Sequence, residues 1–261
     1  MHTAAEKLAA GQKIYGTMLR VVRSPAAVQL IANGGLDFFL CDCEHAEYSA
    51  ETLHDLFLAG RALGLSPMAR VPACTKEWVS RLADLGAAGI MVPMTETAGQ
   101  AREIVRLLKY PPLGERGYAG AGAHVAYRRG LDHAEVMARA NRRMLAIAQI
   151  ETAAAIENCE AIAQVEGLDA LIIGPNDLSI SLGIPGQMEH PKELAAIRRV
   201  AAACRDAGKF FGIHGALALS QQVQQVLDPQ IMMVSTDVDL FTEAFAGILA
   251  SCRAAGLAGE R

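Results

Sequence analysis

Glu151 and Asp177 are the residues of this 261-residue chain whose type and setting first suggest chemistry. Each carboxylate follows an apolar run. Leu145-Ala146-Ile147-Ala148-Gln149-Ile150 precedes Glu151, and Leu168-Asp169-Ala170-Leu171-Ile172-Ile173 leads through Gly174-Pro175-Asn176 to Asp177. Between them, Thr152 can cap a helix whose apolar stripe is Ala155, Ile156, Cys159, Ile162 and Ala163. Strand, helix and strand make a βαβ unit, whose parallel strands end at the same edge of a sheet. Two hard oxygen ligands on rigid neighbouring strand ends suit a divalent cation of the Mg²⁺ or Mn²⁺ kind. Plainer roles fit the same spacing, with Glu151 starting one helix and Asp177 capping the next, and spacing alone leaves both open.

The elements that must position this pair repeat along the chain. Apolar runs at 14–19, 38–42, 66–71, 89–92, 145–150, 168–173, 209–214 and 231–235 read as strands. After an opening helix over 4–10, helical patterns follow at 24–31, 49–63, 75–85, 97–108, 132–141, 152–163, 177–182, 191–207, 217–227 and 240–255. Eight near-continuous apolar strands, each followed by a helix, imply parallel strands buried on both faces. That is the pattern of an α/β protein of the (β/α)8 TIM-barrel kind, here one domain over 1–261. An open doubly wound sheet is the alternative, but Leu19-Arg20-Val21-Val22-Arg23 stands where its Gly-rich phosphate turn belongs. The rhythm pauses at a Gly-rich loop over about 110–131, and ordered loops of that length are usually functional.

Composition excludes several classes. A hydrophobic content of 52% implies a large packed core, and a net charge of -4 with 13 aromatics and no basic patch between them gives no case for nucleic acid. No apolar run approaches the roughly 18 residues of a membrane span, and residues 1–13 lack the apolar core of a leader, so a cytoplasmic location is expected. Cys41, Cys43, Cys74, Cys159, Cys204 and Cys252 show no C-x-x-C pairing and read as buried free thiols. Cys41-Asp42-Cys43-Glu44-His45 resembles a soft-metal cluster, but on a strand Cys41 and Cys43 share one face and Asp42 takes the other, which argues against zinc.

A barrel of this kind carries its active site at the C-terminal ends of the strands. Collected there are Asp42, Glu44 and His45 after the second strand, Arg70 on the third, Gln149 and Glu151 at the fifth, Gly174 to Asp177 at the sixth and His214 at the seventh. The set offers two metal carboxylates, a fixed cation, an imidazole and an amide. Asp42-x-Glu44-His45-Ala46, Ala69-Arg70-Val71-Pro72, Val92-Pro93-Met94, Tyr110-Pro111-Pro112-x-Gly114-x-Arg116-Gly117, Gln149-Ile150-Glu151-Thr152 and Gly174-Pro175-Asn176-Asp177-Leu178-Ser179 resemble, in order and over nearly the whole chain, the HpcH/HpaI aldolase family.

The resemblance implies a metal-dependent pyruvate aldolase that splits 4-hydroxy-2-oxo acids into pyruvate, or a relative such as hydroxypyruvate, and an aldehyde. It implies a homohexamer, a trimer of dimers that exchange the last helix. Residue by residue, it makes Glu151 and Asp177 the ligands of Mg²⁺, Mn²⁺ or Co²⁺, and Arg70 the partner of the developing enolate. His45 becomes the base for the C4 hydroxyl, directly or through a water on the metal, with Asp84 orienting its ring. Gln149 contacts the oxo group, and the backbone of Gly174, Pro175, Asn176 and Asp177 holds the substrate carboxylate. His214 is either a substrate contact or a plain rim residue. His124 is either a lid contact or a solvent-exposed loop residue.

The chemistry is coherent by itself. A Lewis acid and a fixed guanidinium both stabilise negative charge on an enolate, and an imidazole, with an ordinary pKa of about 6.5, suits proton transfer near neutrality. Arg70 could instead be a structural ion-pair partner, since an unpaired charge on its otherwise apolar strand is costly. A Schiff-base route needs a lysine in the mouth, and Lys7, Lys13, Lys76, Lys109, Lys192 and Lys209 all fall on helices, at helix starts or at strand beginnings. Rival readings are a citrate-lyase-like or malyl-CoA-lyase-like enzyme acting on a thioester, and a non-catalytic barrel that binds a dicarboxylate. The segments 118–124, 213–215 and 234–237 depart from the family pattern and put acceptor and donor preference in doubt.

Overall fold

A computed structural model describes residues 2–257. Eight parallel strands close into a barrel in sequence order: β1 Ile14–Leu19, β2 Phe38–Asp42, β3 Ser66–Arg70, β4 Gly89–Val92, β5 Leu145–Ile150, β6 Ala170–Ile173, β7 Phe210–Gly215 and β8 Ile231–Thr236. The helices are α1 Ala4–Ala9, α2 Pro25–Asn33, α3 Ala50–Ala62, α4 Val79–Asp84, α5 Ala98–Leu108, α6 His133–Arg143, α7 Ala153–Glu157, α8 Cys159–Ala163, α9 Pro175–Ser181, α10 Pro191–Ala207, α11 Leu217–Leu227 and α12 Asp237–Ala254. Closure rests on the pairing of β1 with both β2 and β8, with Gly16 beside Phe38 on one side and Met233 on the other.

Helix starts follow the expected chemistry. Ser49, Thr97, Asp132 and Thr152 each accept an N–H from the first turn of α3, α5, α6 and α7. Two apolar cores result. Met18, Leu40, Met68, Met91, Ile147, Ile172 and Met233 fill the barrel, closed at the strand-start end by Ala4, Ala5 and Leu8 of α1. Phe39, Cys41, Ala69, Ile90, Ala148, Ile173 and Ile213 face outward into the layer beneath the helices.

Some boundaries differ from the sequence reading. The helix expected over 152–163 breaks at Asn158 into α7 and α8, and residues 75–78 form turns before α4. The helix after β6 begins at Pro175, which puts Asp177 in its first turn. The final helix starts at Asp237, whose buried carboxylate accepts the N–H groups of Arg20, Val21 and Val22 at 2.8–2.9 Å and pins the loop after β1.

Candidate active site

Asp42, the last residue of β2, points into the barrel mouth with no solvent exposure. It accepts from Arg70 Nε (2.9 Å) and Nη2 (2.8 Å), from Arg20 Nε (2.9 Å), and from the backbone N–H of Glu44 and His45 (3.2 and 3.3 Å). The Asp42–Arg70 pairing follows from register, because the two residues are direct neighbours across β2 and β3. Burial works against the Asp42 carboxylate, yet the Arg70 hydrogen bonds and charge outweigh it and lower its pKa to about 2. A bidentate guanidinium–carboxylate fork also fixes orientation, so Arg70 presents a rigid positive charge. Its Nε lies 3.2 Å from Glu44 Oε2, a charge contact that lacks hydrogen-bond alignment and leaves that buried oxygen without a hydrogen bond.

Glu151 follows β5 and is buried. One carboxylate oxygen accepts the Met94 N–H at 2.7 Å, and the other accepts Gln149 Nε2 at 2.5 Å. Met94 presents that N–H from a left-handed backbone with φ 51°. Gly174 is required beside them, because a Cβ there would stand 2.4 Å from Glu151 Oε2 and 2.5 Å from Gln149 Nε2. Burial pushes the Glu151 pKa up to about 7; the Met94 N–H opposes this, and the Asp177 charge adds to it. Asp177 and Asn176 are solvent-exposed at the mouth, next to the buried Pro175.

The mouth thus holds Arg20 and Arg70 against Asp42, Glu44, Glu151 and Asp177. Two guanidiniums face four carboxylates, and this excess of acidic groups suits a divalent cation. Gln149 Oε1 is buried and has no donor among the described residues. Among the described residues no cluster of three His, Cys, Asp or Glu side chains has metal-binding geometry. Glu151 and Asp177 are near enough for the Asp177 charge to raise the Glu151 pKa, and two carboxylates offer the hard oxygen donors that suit Mg²⁺ or Mn²⁺.

The other expected site residues divide between the two ends of the barrel. His45 is at the mouth, its ring half exposed and its Nε2 3.8 Å from Glu44 Oε2. His214 on β7 lies beside Arg70, Asp42 and Arg20, and burial followed by the Arg70 charge drives its pKa down to about 4. Asp84 is not brought to His45 within the protomer. Helices in this topology run back against the strands, so the C-terminal end of α4 sits at the strand-start end, where Asp84 accepts from Arg116 Nη2 at 2.5 Å. His124 belongs to the same end, in the Gly-rich loop, and is no lid over its own barrel's rim. Arg20 did not stand out in the sequence, and Met94 entered only as the end of the Val92-Pro93-Met94 motif, with no role of its own. Arg20 lies just past β1, and only barrel closure, which sets β1 beside β2, brings it to Asp42.

Comparison with known proteins agrees with the fold. The family model described as HpcH/HpaI aldolase/citrate lyase matches residues 18–244. A 4-hydroxy-4-methyl-2-oxoglutarate aldolase of Chaetomium globosum is 36% identical over 242 residues, covering 91% of this chain and 90% of its own. A 2-keto-3-deoxy-L-rhamnonate aldolase of Salmonella gallinarum is 34% identical over 222 residues, covering 85% of this chain and 82% of its own. The crystal structure of an HpcH/HpaI aldolase from Desulfitobacterium hafniense DCB-2 superposes with a TM-score of 0.90 at 37% identity, over 97% of both chains. With a match that spans β1 to α12 and includes every strand end that supplies the mouth, the chain belongs to the HpcH/HpaI aldolase/citrate lyase family.

Proposed function

We propose that this protein is a divalent-metal-dependent class II aldolase, a carbon–carbon lyase that cleaves or forms 4-hydroxy-2-oxo acids from a pyruvate- or hydroxypyruvate-type donor and an aldehyde. The observation that carries the reading is the Glu151–Asp177 carboxylate pair beside an Arg70 guanidinium that Asp42 holds rigid. Glu151 and Asp177 would hold the cation, which when bound supplies Lewis acidity toward the 2-oxo acid. Arg70 has Nε and Nη2 committed to Asp42, and Nη1 has no acceptor among the described residues. That free edge is the donor for oxygen on which negative charge develops as C3–C4 breaks, and it needs no reorientation during the reaction.

His45 takes the C4 hydroxyl proton in the cleavage direction, with its backbone anchored on Asp42 and its ring open to the mouth. Gln149 gives one Nε2 hydrogen to Glu151, so its contact with the substrate oxo oxygen uses the second. The turn at Gly174, Pro175 and Asn176 borders the substrate carboxylate, and His214 closes the pocket on the β7 side. Asp84 serves the opposite end of its own barrel, through Arg116.

The protein works as a homo-oligomer in this reading, a trimer of dimers that exchange α12. Of the 18 residues of α12 only Asp237 is buried, while Phe241, Phe245, Ile248 and Leu249 are exposed, a face that a second copy would cover. The reading places the protein in the cytoplasm, where its six free cysteines stay reduced; no described helix is long and apolar enough to cross a membrane.

The test is exchange of the C3 protons of pyruvate with deuterium oxide, followed by NMR. Exchange that requires added Mg²⁺ or Mn²⁺, and that Glu151→Gln abolishes, is the expected result. Absence of exchange in the metal-replete protein would sink the enolate mechanism.

A further inference from the structure

A cavity of about 460 Å³ opens at the strand-start end of the barrel, away from the mouth. Ser66, Ala88 and Met144, at or just before the starts of β3, β4 and β5, form its floor, and α3, α6 and the Gly-rich loop form its walls. The lining is basic. Arg61, Arg116, Arg128, Arg139 and Arg143 all border it, together with His2 and His124, and no carboxylate lines it. Two of the five guanidiniums are matched by carboxylates just outside, Arg116 by Asp84 and Arg143 by Glu6. Arg61 spends its donors on the carbonyls of Gly86 and His124, which leave its charge in place. Arg128 and Arg139 have no acceptor among the described residues. A surplus of three positive charges has collected in one recess of a chain whose net charge is -4.

The polar atoms inside also lack partners. Arg116, whose side chain is 1% exposed and stacks over the Tyr110 ring at 4.7 Å, has a buried Nε with no acceptor. Both ring nitrogens of His124 are buried without a hydrogen bond, and the Asp84 carbonyl approaches the ring without completing one. Buried donors left open cost stability unless something fills them. On α6, Val136, Arg139, Ala140 and Arg143 recur at spacings of three and four, so one helix face is turned to the cavity and carries two of the guanidiniums. Burial, and then the charges of Arg143 and Arg139, push the Arg61 pKa down, as expected where like charges crowd together.

From this convergence we infer that the cavity is a binding site for a small, multiply charged oxyanion, of the organic phosphate or polycarboxylate class, held by Arg61, Arg116, Arg139 and His124. The site is separate from the aldolase mouth and does not depend on the function proposed for it. A bound oxyanion bridges α3, α6 and the Gly-rich loop, adding to the ties that His54 and Arg61 make to the loop and that Asn141 makes to Tyr110, so its occupancy stiffens that end of the barrel.

Isothermal titration of the full-length protein with pyrophosphate and with citrate, at matched ionic strength and against a sulfate control, tests the site and tells the two anion classes apart. The expected result is sub-millimolar binding of at least one of the two. Arg139→Gln and Arg61→Gln should each weaken that binding about tenfold, the loss of one charge-assisted contact. The same anion should raise the melting temperature of the wild-type protein and not of the Arg61→Gln/Arg139→Gln double variant. Arg139→Gln should keep the far-ultraviolet spectrum and the anion-free melting temperature of the wild type, which shows that it folds. Binding no stronger than that of sulfate, binding that both variants retain, or binding that Arg70→Gln abolishes and Arg139→Gln does not would each overturn the proposal.

Discussion

Replacing Asp42 with Asn tests whether a buried carboxylate is what makes Arg70 a rigid charge. Asp42 has no solvent exposure and satisfies three side-chain donors from Arg70 and Arg20, and two backbone N–H groups. Burial alone would raise its pKa, but the Arg70 hydrogen bonds and charge, with those of Arg20, bring it down from 3.8 to about 2. A shift of that size corresponds to about 2.5 kcal/mol in favour of the folded state at neutral pH. Asn keeps the shape and loses the charge, leaving Arg70 buried against a neutral amide, and breaking a buried pair in this way costs about 3–5 kcal/mol. The Glu44 carboxylate at 3.2 Å offsets part of that. Urea unfolding at one protein concentration should therefore show Asp42→Asn less stable by about 2–4 kcal/mol at neutral pH. A depressed carboxylate pKa contributes stability above 3.8 that is lost as pH falls toward about 2. The difference between wild type and variant should thus stay flat from about pH 8 to about pH 5. In the folded variant kcat should fall at least about tenfold, since the guanidinium no longer meets the enolate oxygen in a fixed orientation. A stability loss under about 0.5 kcal/mol with kcat unchanged, or a difference that varies across the neutral range, would refute the reasoning.

Three further outcomes follow from particular residues. Glu193 on α10 is fully buried, neither of its carboxylate oxygens has a partner among the described residues, and burial raises its pKa from 4.5 to about 7. Wild-type stability should therefore decline relative to Glu193→Gln as pH rises from 4.5 through about 7, by no more than about 3 kcal/mol, read from unfolding curves across that range; a difference independent of pH would contradict it. Gly174→Ala should fold, shown by an unchanged far-ultraviolet spectrum, yet lose most activity, because its Cβ displaces Glu151 and Gln149; full activity would mean that the pair is not held as tightly as these contacts require. Phe245→Glu, on the exposed face of α12, should shift the protein to smaller assemblies in light scattering, and an unchanged mass would remove that face from the interface.

What the sequence disclosed and what it withheld divide along a physical line. Parallel strands buried on both faces must be apolar for their whole length, so β1, β2, β4 and β5 could be bounded to the residue from composition alone. Caps such as Ser49, Thr97 and Thr152 are local chemistry and were equally legible. Topology then named Arg70, Gln149 and Glu151 as rim residues, since strand ends in a barrel converge. Side-chain pairing was not legible, because it depends on which rotamer each residue takes once the barrel has closed. Arg20 reaches Asp42 only because barrel closure sets β1 beside β2, and Glu193, in the first turn of α10, is buried only once that helix packs on the barrel. Asp84 differs again: family resemblance implies that it orients His45, and the direction of α4 carries it to the far end of its own barrel, onto Arg116, so that role requires a second copy of the chain. The basic recess escaped notice because its arginines come from three separate segments, each with a solvated appearance of its own.

The central claim is that a metal held by Glu151 and Asp177 supports carbon–carbon cleavage in the barrel mouth. Pyruvate release from a racemic 4-hydroxy-2-oxo acid, measured before and after EDTA and again after Mg²⁺, Mn²⁺ or Co²⁺ is restored, tests it most directly. The account predicts release that EDTA abolishes and at least one of these metals restores. Release that proceeds unchanged in EDTA, or no release from the metal-replete protein, would contradict it.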